Sequence, residues 1–60
     1  MGRQVGISGT AAPALGDLRA LGPGDIAWLY AGVEQRADWS RYLDALANAV
    51  TRGADVRWVR

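Results

Sequence analysis

The fold is decided by the run Ile26-Ala27-Trp28-Leu29-Tyr30-Ala31, which is apolar throughout. The turn sequence Gly22-Pro23-Gly24-Asp25 precedes this run, and Gly32 follows it. A short apolar run that contains aromatic residues and is bounded by turn residues is typical of a strand buried on both faces. We therefore predict a central strand over residues 26–31.

Two weaker strands flank the central one in the sequence. Val5 and Ile7 alternate with polar or small residues, which predicts a strand over residues 3–8. Residues 55–59 alternate in the same way and predict a third strand. Each of these two strands has polar residues on one face, as edge strands do, so we expect them on either side of the central strand.

The first helix is predicted between the first two strands. It is expected to open at Thr10 or at the Ala12-Pro13 step, because proline is tolerated in a first helical turn. The turn before the central strand ends it. Three leucines would line one side of this helix: Leu15, Leu18 and Leu21.

The second helix has the clearest periodicity in the chain and follows a polar connection at residues 32–36. Asp38 is its expected N-cap, Arg52 lies at its negative end, and Gly53 supplies a left-handed stop. The predicted core-facing stripe is Trp39, Leu43, Leu46 and Val50, flanked by Tyr42 and Ala49.

Together these elements predict one small α/β domain over residues 1–60, in the order β-α-β-α-β. Helical connections of this length imply parallel strands, so we predict a minimal three-stranded parallel sheet, half of a Rossmann-like fold, with strand order 1-2-3. Right-handed crossovers place both helices on one face of the sheet. Because parallel sheets rarely tolerate a naked face, the other face needs a second copy, a partner protein or a ligand.

The amino-acid composition excludes most kinds of catalytic and metal-binding site. The chain has 60 residues, a net charge of +1, and no cysteine, histidine or lysine; its seven basic residues are all arginine, a bias typical of a GC-rich genome. Disulfides, most zinc sites and the usual general base are therefore lacking, and we expect no enzymatic activity, cofactor or metal. We find neither a membrane-length apolar run nor a secretory signal, and expect a cytoplasmic protein without a membrane partner.

The aromatic residues are the most informative candidates for function. Trp28 and Tyr30 share one face of the central strand, and Trp58 would join them from the adjacent strand beside Arg57. Trp, Tyr and Arg are enriched in binding hot spots. We therefore predict a non-enzymatic interaction module, a small regulator, inhibitor or accessory subunit, that self-associates or docks on a larger protein. In the alternative arrangement the helices cover the aromatic face, and these residues form the core.

Two other functions are kept open. Arg52, Arg57 and Arg60 with Trp58 would contact phosphates and stack on bases in a nucleic-acid-binding accessory factor, although a net charge near zero disfavours non-specific binding. The turn after the first strand would receive a phosphate or nucleotide near a helix N-terminus, although it matches neither glycine-rich phosphate motif. The candidate phosphate contacts are Gly6, Ser8, Gly9 and Thr10.

One local pattern resembles a known family. Pro23-Gly24-Asp25, an apolar strand, a helix and then Arg52-Gly53 before a final strand resemble the second half of the serine recombinase (resolvase) catalytic domain in order and spacing. The resemblance covers about half of the chain. The arginine-rich segment of that family is missing here, where residues 32–36 offer Arg36 alone, so an inactive relative is implied. The ending of helix, Arg-Gly and strand is also similar to phospholipase D-like domains, without their histidine and lysine.

Overall fold

The computed structural model describes residues 2–59. Its strands are β1 (Gln4–Ile7), β2 (Ile26–Leu29) and β3 (Asp55–Trp58), and its α-helices are α1 (Leu15–Arg19) and α2 (Trp39–Thr51). A short 3-10 helix, Val33–Gln35, precedes α2. The predicted order β-α-β-α-β is confirmed, and each strand is one or two residues shorter than predicted.

The three strands are parallel and lie in the order β1-β2-β3, which confirms the predicted topology and places the apolar run at the centre. Trp28 pairs with Gly6 on one side and with Arg57 on the other. Because paired residues of adjacent strands direct their side chains to the same face, this row belongs to one face of the sheet. The neighbouring row, centred on Leu29, belongs to the opposite face.

Both helices pack on the face that carries Leu29, as predicted. Leu29 and Ala27 of β2 are buried against Leu18 of α1 and Leu46 of α2. The short side chain of Ala27 lets the helices approach the sheet closely. The buried core consists of Ile7, Leu18, Leu21, Ala27, Leu29, Val33, Tyr42, Ala45, Leu46, Ala49 and Ala54.

The first helix begins later than predicted, at Leu15 rather than at Thr10 or the Ala12-Pro13 step. Ala12 precedes Pro13 and is therefore disfavoured from helical conformation. Ala14, the N-cap residue, is also extended, with φ −64° and ψ 149°. The proline carbonyl also accepts a 2.7 Å hydrogen bond from the Tyr42 hydroxyl. This bond holds the non-helical segment against α2.

The second helix is rotated relative to the predicted stripe. Leu43 and Val50 were expected in the core, yet they are 47% and 51% exposed. Two alanines on the buried side bring the helix closer to the sheet and to α1 than larger side chains would allow, so close packing selects the buried face. The buried residues of α2 are Tyr42, Ala45, Leu46 and Ala49.

The end of α2 is anchored on α1. Gly53 has a φ of 101°, the left-handed conformation predicted to stop the helix. The Arg52 guanidinium donates to the Leu21 carbonyl at 2.9 Å and to the Leu18 carbonyl at 3.3 Å. It thereby ties the end of α2 to α1 and to the residues just after it, where the Leu18 carbonyl also accepts the Leu21 N–H at 3.1 Å. Val33, in the connection predicted to be polar, is buried in the core.

Candidate interaction surface

The sheet face opposite the helices, called here the open face, carries Trp28, Tyr30 and Arg57 together. No element within residues 2–59 covers it. Tyr30 and Val59 are 41% and 37% exposed, and Trp28 and Ile26 are partly exposed. The open face is formed by Gln4, Gly6, Ile26, Trp28, Tyr30, Asp55, Arg57 and Val59.

Trp28 is held in place from two sides. Its indole Nε1–H donates to Gln4 Oε1 at 3.1 Å. The guanidinium carbon of Arg57 lies 5.8 Å from the centroid of the Trp28 ring, within cation–π range. The indole donor is therefore already satisfied, and the ring has less conformational freedom to lose when a partner covers it.

Tyr30 lies across Gly6. A Cβ atom at Gly6 would come within 2.9 Å of Cε2 of the Tyr30 ring, so the missing side chain provides the space that the ring occupies. The structure thus places Gly6 on the open face, under an aromatic ring, rather than in the turn where a phosphate contact was predicted.

The two charges of the open face are neighbours on β3. Arg57 Nη2 lies 3.1 Å from Asp55 Oδ2, and both side chains are more than half exposed. An ion pair this exposed contributes little to stability, so either charge can exchange its partner at low cost. The open face is therefore apolar with balanced charges, not basic.

Trp58 does not belong to the open face. The strand register pairs it with Leu29, which directs its side chain to the helix side of the sheet. There its ring meets Trp39 of α2 edge-on, with ring centroids 6.4 Å apart and planes at 67°. The prediction that Trp58 joins Trp28 and Tyr30 is wrong, because the register, which the sequence does not reveal, decides the face.

The turn after β1 is closed by its own hydrogen bonds. Ser8 Oγ accepts the N–H groups of Thr10 and Ala11 at 3.3 and 3.0 Å, and the Ser8 hydroxyl donates to the Ala11 carbonyl. Gly9 packs on the backbone of Gly32, where a Cβ atom would lie 3.0 Å from the carbonyl oxygen. Ser8 and Thr10 were predicted to contact a phosphate, but the Ser8 hydroxyl and the Thr10 N–H are already used within the turn.

A cleft of about 520 Å³ opens beyond the carboxyl end of β1, the region where parallel sheets commonly bind ligands. Arg36 binds the Asp38 carboxylate through two hydrogen bonds, at 2.9 and 3.2 Å. The hydrogen bond from Arg36 lowers the pKa of Asp38, and the same bond raises the pKa of Arg36. Asp38 holds the N-cap position, as predicted, but its carboxylate serves Arg36 instead of the helix amides. The cleft is lined by Gly9, Thr10, Arg36, Ala37, Asp38, Ser40 and Arg41.

The residues considered for nucleic-acid binding point in different directions. Arg52 is bonded to α1, Arg57 lies on the open face beside Asp55, and Trp58 packs on the helix side. Arg60 lies outside the described residues. The described members of this set therefore form no continuous basic surface.

Besides Gly6, sequence reasoning missed four members of the open face: Gln4, Ile26, Asp55 and Val59. Ile26 was detectable, because a residue two positions before Trp28 in a strand shares its face. The contact between Gln4 and the indole depends on the register between β1 and β2 and had no signal in the sequence.

Within residues 2–59, no group of three or more carboxylates converges as a metal site would require. In the described part of the chain, no helix has both the length and the apolar character needed to cross a membrane. A comparison with protein-family models found no match, and searches of curated proteins and of solved structures found none either. The resemblances to serine recombinases and to phospholipase D-like domains gain no support from these comparisons.

Proposed function

We propose that this chain is a non-enzymatic interaction module that docks its open face on a helical element of a larger protein. In that role it acts as a cytoplasmic regulator, inhibitor or accessory subunit. One observation carries the proposal: Trp28, Tyr30 and Ile26 lie partly exposed on a sheet face that nothing within residues 2–59 covers.

The geometry of parallel sheets favours a helical partner. Such sheets occur almost entirely with helices on both faces. Three strands about 4.8 Å apart form a face about 10 Å wide between the outer strand axes, close to the diameter of one helix. An amphipathic helix or helical hairpin therefore fits the open face as α1 and α2 fit the other.

The side chains of the open face suit a binding hot spot. Trp28, Tyr30 and Arg57 are of the residue types that dominate such sites. Trp28 is already restrained by Gln4 and Arg57, which lowers the entropy cost of covering it. Because Asp55 balances Arg57, the partner needs an apolar stripe more than it needs a charge.

Affinity capture with matched variants tests the proposal. Wild-type chain, Trp28→Gln and the control Asp44→Asn, an exposed position on α2, are immobilised and exposed to an extract of the native host. We expect wild type and the control to retain the same protein, and Trp28→Gln to bind it about 30-fold more weakly, since truncating a hot spot costs about 2 kcal/mol. Circular dichroism must show that Trp28→Gln remains folded.

The captured protein is then purified and crosslinked to a chain that carries a photoreactive residue at position 59, on the rim of the open face. We expect the crosslink to map to a helix of the partner. Equal capture by all three chains, or a crosslink to a loop or strand of the partner, would contradict the proposal.

A further inference from the structure

The outer edge of β3 has no strand partner within residues 2–59. On its inner side, the N–H groups of Asp55 and Val59 donate to carbonyls of the β2 segment at 2.9 and 2.8 Å. Backbone groups alternate in direction along a strand, so Val56 and Trp58 direct their N–H and C=O groups outward. An edge of this kind is a template for a further strand.

Exposed apolar side chains lie beside this edge on the helix side of the sheet; Leu43, Val50 and Trp58 are called here the ledge. The Arg52 side chain extends from the side of α2 that faces α1. The Trp39 side chain extends from the opposite side of α2 and contacts Trp58 of β3. Leu43 follows Trp39 by four residues and Val50 follows Leu43 by seven, so all three share the flank that faces β3. Leu43, Val50 and Trp58 are 47%, 51% and 51% exposed. Exposed apolar side chains beside an unpaired strand edge mark an interface.

The sequence of β3 is complementary to itself in one antiparallel register. With Val56 opposite Val56 of a second copy, Asp55 lies opposite Arg57 and Arg57 opposite Asp55. These pairs fall at the positions without inter-strand hydrogen bonds, where side chains come closest. A shift of two residues, the smallest shift that keeps both faces, places Asp55 opposite Asp55 or Arg57 opposite Arg57.

We propose that a second copy of this chain binds the outer edge of β3 in this antiparallel register. Val56 N–H donates to the Val56 carbonyl of the second copy, and Trp58 N–H to its Ala54 carbonyl. The two sheets become continuous, both α2 helices lie on the same face, and their ledges cover each other. The open faces lie side by side and share only Asp55 and Arg57 with the dimer interface, so Ile26, Trp28 and Tyr30 stay free for the docking proposed above.

Charge reversal tests the register. Asp55→Arg places guanidinium groups opposite each other, and Arg57→Asp places carboxylates opposite each other. We expect wild type to dimerise in sedimentation experiments and each variant to dimerise at least about tenfold more weakly. Mixing the two variants should restore a one-to-one heterodimer, visible by native mass spectrometry, and the double variant Asp55→Arg/Arg57→Asp should dimerise by itself.

Two further chains separate this interface from the open face. N-methylation of Val56 in a synthetic chain removes an outward donor and is expected to abolish dimerisation, while circular dichroism stays unchanged. Trp28→Gln is expected to dimerise like wild type. A wild type that is monomeric at all concentrations, charge-reversed chains that fail to pair with each other, or a Trp28→Gln chain that no longer dimerises would each overturn the proposal.

Discussion

The two faces of this sheet use the same three strands for different purposes. On the covered face, Ala27 and Leu29 are fully or almost fully buried, and within residues 2–59 no polar or charged residue is buried with them. On the open face, the intervening Trp28 is large, partly exposed and tied to Gln4 and Arg57. Alternate residues of one strand thus divide into a stripe that stabilises the fold and a stripe that remains available for binding.

Truncating the covered face should have the largest effect. Leu18→Ala removes a fully buried side chain of α1 and should lower the free energy of unfolding by about 2–5 kcal/mol. Its control, Leu43→Ala, trims a half-exposed leucine of α2 and should cost less than about 1 kcal/mol. Urea titration followed by circular dichroism measures both, at a protein concentration low enough that the chain is monomeric, because Leu43 also lies in the proposed dimer interface. Equal losses would mean that α2 presents its predicted stripe to the core after all.

Two glycine substitutions compare a position that faces backbone, Gly9, with one that faces a side chain, Gly6. Gly9→Ala places a Cβ atom 3.0 Å from the Gly32 carbonyl oxygen, and backbone there cannot move without shifting the loop. We expect a loss of about 1–3 kcal/mol. Gly6→Ala meets the ring of Tyr30, which can turn outward into solvent, so its stability should change by less than about 1 kcal/mol.

Thermal unfolding checks the two glycine variants, and NMR of the Tyr30 ring protons reports whether that ring has moved. If Gly6→Ala proves as destabilising as Gly9→Ala, Tyr30 is fixed in place, and the open face is more rigid than its exposure indicates.

The two tyrosines make the third comparison. Tyr42→Phe leaves the Pro13 carbonyl without its 2.7 Å hydrogen bond and should cost about 1–2 kcal/mol. Tyr30→Phe alters a side chain that is 41% exposed and should stay within about 0.5 kcal/mol of wild type. Denaturant midpoints measured at one protein concentration separate the two outcomes. A larger loss from Tyr30→Phe would show that the open face also stabilises the isolated chain.

The strand order and the single-sided helix cover were predictable from sequence for a physical reason. The run at residues 26–31 is the longest apolar strand pattern, and the flanking strands each carry polar residues, so burial alone orders the three. The handedness of the crossovers then places both helices on one face. That Trp28 and Tyr30 share a face followed from the two-residue period of a strand, whereas the alternative in which the helices cover that face stayed open.

The remaining features depend on distances between elements. Leu43 and Val50 were predicted in the core because a periodic pattern is recognised by its large apolar side chains. The small side chains of Ala45 and Ala49 instead allow α2 to approach the sheet and α1 closely, so their side of the helix is buried. Trp58 lies on the helix side of the sheet instead of the open face, because the register between β2 and β3 pairs it with Leu29.

Acid should reveal a smaller effect that belongs to neither face. Asp25 ties the starts of the strands together: its carboxylate accepts the Arg3 N–H at 2.6 Å and the Gly22 N–H at 2.8 Å. These two hydrogen bonds lower the pKa of Asp25, and the one from the Arg3 N–H has the larger effect. Its ordinary value in an unfolded chain is about 3.9. A carboxyl group whose pKa is lower in the folded state stabilises the fold above its unfolded value, and this contribution is lost as pH falls through the folded value.

Asp25→Asn should therefore be less stable than wild type at neutral pH. The difference should start to shrink below about pH 4, near the unfolded pKa of Asp25, and should be lost once the pH lies below its lowered folded pKa. The stability of this variant should still fall somewhat in acid, because Arg36 lowers the pKa of Asp38 and this group is also protonated there. Urea midpoints at a series of pH values from neutral to strongly acidic measure the effect, with Asp44→Asn as the exposed control. If the midpoints of Asp25→Asn run parallel to those of wild type throughout, the carboxylate does not hold the strand starts together, and backbone pairing alone aligns the sheet that separates the two faces.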